Sequence, residues 1–396
     1  MRWPCVGGAT NDRKTAIKPM TPRRYTSLHS TAVQQILIQI NSLASDRLPL
    51  GTWADINVCH KRRASIWLLF FAAAAMPKSA SFAPTPLPTL IRIASRESAL
   101  AMVQSEWVAA QLRDTYADCV VEIIGMTTKG DQILDKPLAQ IGGKGLFIKE
   151  LEVAIEEGRA DIAVHSMKDV PMTLPEGFAA TIVGARENVR DAFVSNRYAS
   201  LEDLPKGAIV GTSSLRRESQ LRHYFPEMRI EPLRGNVNTR LKKLDNGEFD
   251  AIILAAAGLK RLGFEARIKA ELDEVRFIPA IAQGALGIEY RADRADIAAW
   301  LAPFATAETT AMVSAERALG RALTGSCDVP LGGRGQIVDG KLRLEGFVAL
   351  PDGTRVIRDT VMGSIKNPEA IGVALGKLLI EQGAAEILAT LTRQQS

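Results

Sequence analysis

From residue 90, apolar runs typical of strands alternate along the chain with segments whose apolar residues have helical spacing. Three short apolar runs lie at 90–95, 119–128 and 160–166, and each is a candidate strand. Between them, apolar residues recur at helical spacing over 98–114 and 145–158. Strands that alternate with helices of this length favour parallel βαβ units, so we expect an α/β sheet here.

The same alternation begins again further along the chain. Apolar runs at 208–214, 229–233 and 250–258 are spaced almost evenly and are separated by helical segments rich in Arg, Lys and Leu. The segment 277–290, which follows, is interrupted by Pro and Gly. A second α/β unit is therefore predicted.

The pattern changes after residue 307. A helix over 308–323 leads into a glycine-rich turn that contains Cys327. Two strands, 342–350 and 354–362, flank a "PDG" turn, and a last helix covers about 368–391. This part is predicted to be a small α+β domain.

Residues 1–88 show no such periodicity. The segment "KRRASIWLLFFAAAAM" (61–76) resembles a signal-peptide core, but it begins too late in the chain and is short for a membrane span. Two interpretations stay open: translation starting at Met76, or an organelle-targeting leader with processing near "SASFAP" (79–84). The expected location is the cytoplasm under the first and an organelle under the second.

Charge is unevenly distributed. The whole chain carries +5, but residues 1–88 alone carry +8, which leaves −3 for residues 89–396. A nucleic-acid-binding protein would need its basic surplus in the folded part, so we expect no nucleic-acid partner. The four cysteines have no zinc-binding spacing, which favours a reducing compartment.

Cationic residues follow every predicted strand of the two α/β units. Ligands of open α/β sheets bind beyond the carboxyl ends of the strands, so these cations are expected to line one cleft. They are Arg96, Lys129, Lys168, Arg216, Arg217, Arg234, Arg240, Lys260 and Arg261. The predicted ligand carries several carboxylates or phosphates. The segment "GGKGLF" (142–147) lacks the spacing of a phosphate-binding loop and is equally compatible with a flexible loop over the cleft.

One carboxylate stands among these cations. Asp169 follows Lys168 at the end of a strand, in "HSMKDVP" (165–171), where it could stabilise a developing positive charge. A surface pair of Lys168 and Asp169 is the simpler interpretation. His165 lies within the strand and is expected to be a core residue. We expect no metal site and find no Ser–His–Asp spacing.

Together these segments resemble the porphobilinogen deaminase family over roughly residues 90–392. The motifs that carry the resemblance, in chain order, are "IASRESALAMVQ", "TTKGDQILDKPLAQIGGKGLFIKELE", "ADIAVHSMKDVP", "DAFVSN", "GTSSLRRESQL", "LRGNVNTRLKKLDNGEFDAIILAAAGLKRLG", "QGALGIE" and "GSCDVPLG". The chain departs from the usual family pattern at Lys129 and Asn238, where many members have Arg and Gly. These changes are expected to leave the reaction intact.

The resemblance implies a transferase, hydroxymethylbilane synthase, that joins four porphobilinogen molecules head to tail and releases ammonia at each step. The growing chain would be primed by a dipyrromethane cofactor held by a thioether to Cys327. Asp169 matches the family's catalytic aspartate, and Lys168 lies beside it in the same motif. The partners implied are porphobilinogen and the growing linear tetrapyrrole.

Further matches assign the carboxylate-binding residues and the active-site loop. The carboxylate-binding set is Arg96, Ser98, Ser214, Arg216, Arg217, Arg234, Arg240 and Arg261. Lys144 and Phe147 match functional positions of the mobile loop. The implied fold has two lobes like those of periplasmic binding proteins, with mixed, mainly parallel sheets, and a small α+β C-terminal domain. The two lobes are expected to be linked by crossovers near 185–190 and 278–285.

The expected domains follow from this fold. Domain 1 comprises 89–187 and 284–303, domain 2 comprises 188–283, and domain 3 comprises 304–396, after an unrelated extension over 1–88. We expect a monomer that makes no contact with membranes. The main alternative from another class is a two-lobed binding protein for an acidic small molecule, which would use the same arginines but would need neither Cys327 nor domain 3.

Overall fold

Three β-sheets organise the part of the chain that the computed structural model describes, which is residues 85–132, 147–323 and 329–395. Of the residues singled out above, Lys144 and Cys327 lie outside these ranges.

The first sheet contains five strands in the order β2-β1-β3-β10-β4. The strands are β1 (Leu90–Arg96), β2 (Val120–Met126), β3 (Ile162–Ser166), β4 (Phe178–Val183) and β10 (Leu286–Arg291). The pairings make β10 antiparallel to both of its neighbours, so the other four strands all run in one direction. The helices of this lobe are α1 (Ala99–Thr115), α2 (Lys129–Gln132), α3 (Lys149–Glu156) and α7 (Ala295–Leu301).

The second sheet repeats this topology with the order β7-β6-β8-β5-β9, in which β5 is the reversed strand. Its strands are β5 (Asp191–Val194), β6 (Ile209–Gly211), β7 (Arg229–Glu231), β8 (Ala251–Ala255) and β9 (Ala270–Glu271). Its helices are α4 (Leu215–Tyr224), α5 (Val237–Asp245) and α6 (Ala256–Arg261). The chain enters this lobe between β4 and β5 and leaves it between β9 and β10, at the two crossovers expected from the sequence.

The third unit is a three-stranded antiparallel sheet in the order β11-β12-β13, covered by helices. Its elements are α8 (Ala307–Ala322), β11 (Leu331–Val338), β12 (Lys341–Ala349), β13 (Val356–Ser364), α9 (Pro368–Leu379) and α10 (Ala385–Gln395). Apolar side chains of α8 and α9 pack on the sheet to form a separate core. The predicted class, two mainly parallel lobes and a small α+β domain, is confirmed.

Several local predictions differ from the structure, and strands β4, β5, β9 and β10 were not predicted. The strand predicted over 250–258 ends at Ala255, where α6 begins. The last helix is interrupted over Ile380–Ala384, because Gly383 adopts a φ of 103°. Strand β11 was not predicted, since Gly332 and Gly333 belong to the glycine-rich stretch that was interpreted as a turn.

Close packing explains the glycines in β11. A Cβ atom on Gly332 would lie 2.6 Å from the carbonyl oxygen of Pro279 and 2.7 Å from the ring of Phe347. Glycine therefore lets this strand pack directly against the second crossover. Among the described residues, no helix is long and apolar enough to cross a membrane.

Candidate active site

Asp169 lies on a short 3₁₀ turn, Met167–Asp169, that follows directly on β3. Apolar packing anchors the turn on one side, because the side chains of Met167, Val170 and Met172 are all buried in one apolar cluster. Met167 packs so tightly on β10 that a Cβ atom on Gly287 would lie 2.1 Å from its sulfur. Lys168 and Asp169 remain partly exposed on the other side of the turn.

Charges from the second lobe surround this turn. Burial lowers the pKa of Lys168 to about 8, the nearby cations Arg217 and Arg216 lower it further, and Asp169 opposes the shift. Burial also lowers the pKa of Arg240 to about 10, with Arg217 adding to the shift and Asp169 again opposing it. The Asp169 carboxylate therefore lies within the electrostatic field of cations from both lobes.

Arg216 and Arg217 both bind one buried carboxylate, that of Asp191. The Nη2 atom of Arg216 lies 2.8 Å from Asp191 Oδ2. Arg217 donates to Asp191 Oδ1 from Nε at 3.1 Å and from Nη2 at 2.8 Å. Gln283 of the second crossover also donates to Oδ1, at 3.0 Å. Since Asp191 is the first residue after the first crossover, this network joins both crossovers to α4.

The charge state of Asp191 follows from these partners. Burial by itself would raise the pKa of this carboxyl group, but the two guanidinium groups outweigh it and hold the pKa well below its usual range. Asp191 is thus ionised at every working pH and keeps both arginines in place.

Replacing Asp191 with Asn is expected to destabilise the protein by about 3–5 kcal/mol, because it leaves two buried guanidinium groups without their counter-charge. Urea unfolding would measure the change. Asp293→Asn is the matched control, since Asp293 pairs with Arg291 at the surface and such pairs contribute about 0–1 kcal/mol. Equal stability losses in the two variants would contradict this account of Asp191.

Arg96 and Phe147 meet at the carboxyl end of β1. The guanidinium carbon of Arg96 lies 4.4 Å from the centre of the Phe147 ring. Phe147 also packs on Gly130, where a Cβ atom would lie 2.4 Å from the ring. Two residues that were predicted separately, one for carboxylate binding and one for the loop, are thus in direct contact.

The remaining predicted residues occupy helix ends and connections. Ser98 is the N-cap of α1 and accepts a hydrogen bond from the Ala101 amide at 3.4 Å. Ser214 is the N-cap of α4. Arg240 donates to the Gly235 carbonyl at 2.7 Å, and Arg261 donates to the Gly284 carbonyl at 2.7 Å.

The structure brings one subset of these residues together around Asp169. It consists of Lys168 and Arg240 together with the cations that act on the pKa of one or the other, which are Arg216, Arg217 and Arg234. Arg96 contacts Phe147, and Arg261 donates to the Gly284 carbonyl, as described above. Whether these residues bind substrate stays a prediction, as does any role of Lys144 and Cys327.

A second titratable cluster lies behind the turn. His165 is buried in β3, as expected, and its Nε2 atom lies 2.9 Å from Oε2 of the buried Glu289 on β10. Burial raises the pKa of Glu152 on α3 to about 7, Glu289 raises it further, and His165 opposes the shift.

Replacing Glu152 with Gln is expected to remove a pH-dependent loss of stability. A raised folded-state pKa makes the stability from Glu152 full below its ordinary value of 4.5 and progressively lost as the pH rises through about 7. The melting temperature of the variant should therefore gain about 2–4 °C on wild type between pH 5 and pH 8, since solvent screening moderates the effect. Glu106→Gln, at an exposed position of α1, is the control and should show no comparable gain.

Comparison with known proteins decides the family. Residues 91–299 match the family model described as porphobilinogen deaminase, dipyromethane cofactor binding domain, and residues 310–381 match the porphobilinogen deaminase C-terminal domain. The chain belongs to the porphobilinogen deaminase family. It is therefore related to enzymes of tetrapyrrole synthesis, and its substrate class is porphobilinogen and the growing pyrrole chain.

Curated porphobilinogen deaminases resemble the chain over most of their length. The protein from Thiobacillus denitrificans is 60% identical over 301 residues, which is 76% of this chain and 98% of that protein. The one from Chromobacterium violaceum is also 60% identical over 301 residues, covering 76% of this chain and 97% of that protein. The one from Neisseria meningitidis is 55% identical over 309 residues, covering 78% and 99%.

Solved structures of other proteins resemble the chain at low sequence identity. The periplasmic VFT2 domain of Bordetella pertussis BvgS has a TM-score of 0.34 at 16% identity, covering 54% of this chain and 85% of that chain. The periplasmic aliphatic sulphonate binding protein SsuA of Escherichia coli has a TM-score of 0.33 at 14% identity, covering 59% and 70%.

Sequence reasoning missed the buried network of this porphobilinogen deaminase family member. The sequence motifs "DAFVSN" and "QGALGIE" contain Asp191 and Gln283, but neither residue was predicted to have a role of its own. The available signal was a carboxylate placed at the start of the apolar run 191–194, because an acid on a buried strand requires a partner.

Proposed function

We propose that this chain catalyses the stepwise, head-to-tail condensation of four porphobilinogen molecules to hydroxymethylbilane, with release of one ammonia per step. The observation that carries the proposal is the setting of Asp169, a carboxylate on a rigid turn among cations of the facing lobe. Each pyrrole unit bears two carboxylates, so the product is a polyanion that needs such cations.

The charge balance of the cluster supports this assignment. Five cations, namely Lys168, Arg216, Arg217, Arg234 and Arg240, stand against the two carboxylates of Asp169 and Asp191. The surplus of positive charge is what an anionic ligand would neutralise. Asp169 would then stabilise the positive charge that develops as ammonia leaves, and the surrounding arginines would hold the acetate and propionate groups.

The cleft also fits a dipyrromethane cofactor. The Nε atom of Arg216 is buried and has no hydrogen-bond partner among the described residues. Its N–H group can therefore still donate to an acceptor such as a carboxylate. We assign Cys327 as the thioether anchor, and Arg216, Arg217 and Arg240 as residues that hold the cofactor's carboxylates. When bound, the cofactor supplies the pyrrole end to which substrate is added.

We further propose that the protein acts as a cytoplasmic monomer without nucleic-acid partners, with the three domains bounded as predicted from the sequence. The alternative of a binding protein for an acidic small molecule would share the lobes and the arginines. Its support is weaker, because the curated relatives are deaminases and the two-lobed neighbours share only the fold.

The direct test uses the purified full chain, produced in a host that makes porphobilinogen. We expect porphobilinogen consumption with stoichiometric ammonia release, and an intact mass above that of the bare polypeptide by one dipyrromethane. A bare polypeptide mass together with no turnover would refute the proposal, and reversible binding of porphobilinogen without ammonia release would favour the binding-protein alternative.

A further inference from the structure

One face of α8 packs against the residues that follow Asp169. Arg317, Gly320 and Arg321 are spaced i, i+3 and i+4, so they share one side of this helix. A Cβ atom on Gly320 would lie 2.7 Å from the sulfur of Met172, so the helix and this segment are in close contact. The third unit therefore touches the first lobe immediately beside the Asp169 turn.

Arg317 binds the backbone of this segment at three consecutive carbonyl groups. Its Nη1 atom lies 3.5 Å from the carbonyl oxygen of Val170, and Nη2 lies 2.5 Å from that of Pro171 and 3.1 Å from that of Met172. The residue is only 8% exposed. The charge-assisted hydrogen bonds of a buried guanidinium group are strong and directional, so they restrain the positions of their acceptors. Its planar fork of N–H groups can reach several acceptors at once.

These contacts complete the restraint of the turn. The buried side chains of Met167, Val170 and Met172 fix it on the apolar side, but apolar packing leaves the direction of the backbone carbonyls free. Arg317 sets that direction for the three residues after Asp169. Any tilt of this segment would move the Asp169 carboxylate relative to the cations of the facing lobe.

We propose that Arg317 is a positioning residue that holds the Asp169 carboxylate in its working geometry from the third unit. The inference rests on the function proposed above and adds a residue that acts on Asp169 through the backbone carbonyls of residues 170–172.

The test is the Arg317→Lys variant of the cofactor-loaded enzyme. Lysine keeps the buried positive charge, but as a point donor it cannot span three carbonyls. We expect kcat to fall about tenfold or more, because small displacements of a reacting group are costly, with KM changed less than about threefold. Cofactor loading, measured by intact mass, should equal that of wild type. Arg355→Lys is the matched control in the third unit, since Arg355 is exposed and pairs with Glu386 at 2.6 Å, and its kcat should change less than about twofold. Arg321 does not serve as a control, because it also donates to the Met172 carbonyl at 3.4 Å.

A double-mutant cycle with Asp169→Glu separates positioning from general stability. If Arg317 acts through the carboxylate, Arg317→Lys should lower kcat less than about threefold once the longer Glu side chain has already displaced that group. The same loss in both backgrounds, or a loss confined to KM, would overturn the inference.

Gly320→Ala, which pushes Met172 without touching Arg317, should also lower kcat, and an unchanged kcat would count against the inference. A wild-type protein without turnover would refute the proposed function instead, so the two failures are distinguishable.

Discussion

Asp169→Asn is expected to lower kcat by about a thousandfold or more while leaving the fold intact, because an amide cannot stabilise the positive charge that develops as ammonia leaves. The rest of the site argues for this size of effect. Among the described charges that act on Lys168 and Arg240, the second lobe contributes the cations Arg216, Arg217 and Arg234 and one carboxylate, that of Asp191, which is committed to Arg216 and Arg217. No nearby described carboxylate is therefore free to replace Asp169.

The measurement is steady-state porphobilinogen consumption together with ammonia release. Asp169→Glu is the matched control, because it keeps the charge and alters only its position, so part of the activity should return. The melting temperature of Asp169→Asn should stay close to that of wild type, since the turn is anchored by Met167, Val170 and Met172 rather than by Asp169. Near-normal turnover in Asp169→Asn would remove Asp169 from the mechanism.

Cys327→Ala is expected to abolish covalent attachment of the dipyrromethane, and turnover with it. The chain has three other cysteines, of which Cys5 and Cys59 lie outside the described residues. Cys119 is buried, 7% exposed, and burial raises the pKa of its thiol, which keeps it protonated and poorly nucleophilic. No cysteine among the described residues is therefore suited to take over as anchor.

Intact mass of the denatured protein tests this directly, because a thioether survives denaturation and a bound ligand does not. Cys119→Ala is the control and should keep both the added mass and the activity. A Cys327→Ala protein that still carries the added mass would show that another cysteine holds the cofactor.

Much of the fold could be predicted from the sequence, because apolar spacing reports burial locally. The strands at 90–95 and 160–166 and the helix at 98–114 lie within a few residues of their predicted bounds. Prediction failed where glycine obscured the pattern, as in β11, which is packed too closely against Pro279 and Phe347 to carry side chains at Gly332. It also failed at 256–258, where small apolar residues continue the run but the backbone turns into α6.

The site was predictable in its chemistry but not in its contacts. The positions of Lys168, Asp169 and the arginines after each strand follow from the rule that ligands bind at the carboxyl ends of strands. No pattern in the sequence indicates that Arg216 and Arg217 share Asp191, or that Phe147 lies against Arg96. These pairs join separate elements, and no local spacing rule connects them.

The sequence by itself determined the two successive α/β units, the elements whose apolar spacing is regular and the kinds of residue that face the cleft, because each of these depends on neighbours within a few positions. Only the tertiary structure decided which charges pair and what holds the Asp169 turn. Arg217 and Asp191 are 26 residues apart, and Arg317 and Val170 are 147 apart. Such partners are selected when burial removes water and each buried charge must find a counter-charge or a hydrogen-bond acceptor, which is a condition on the whole fold.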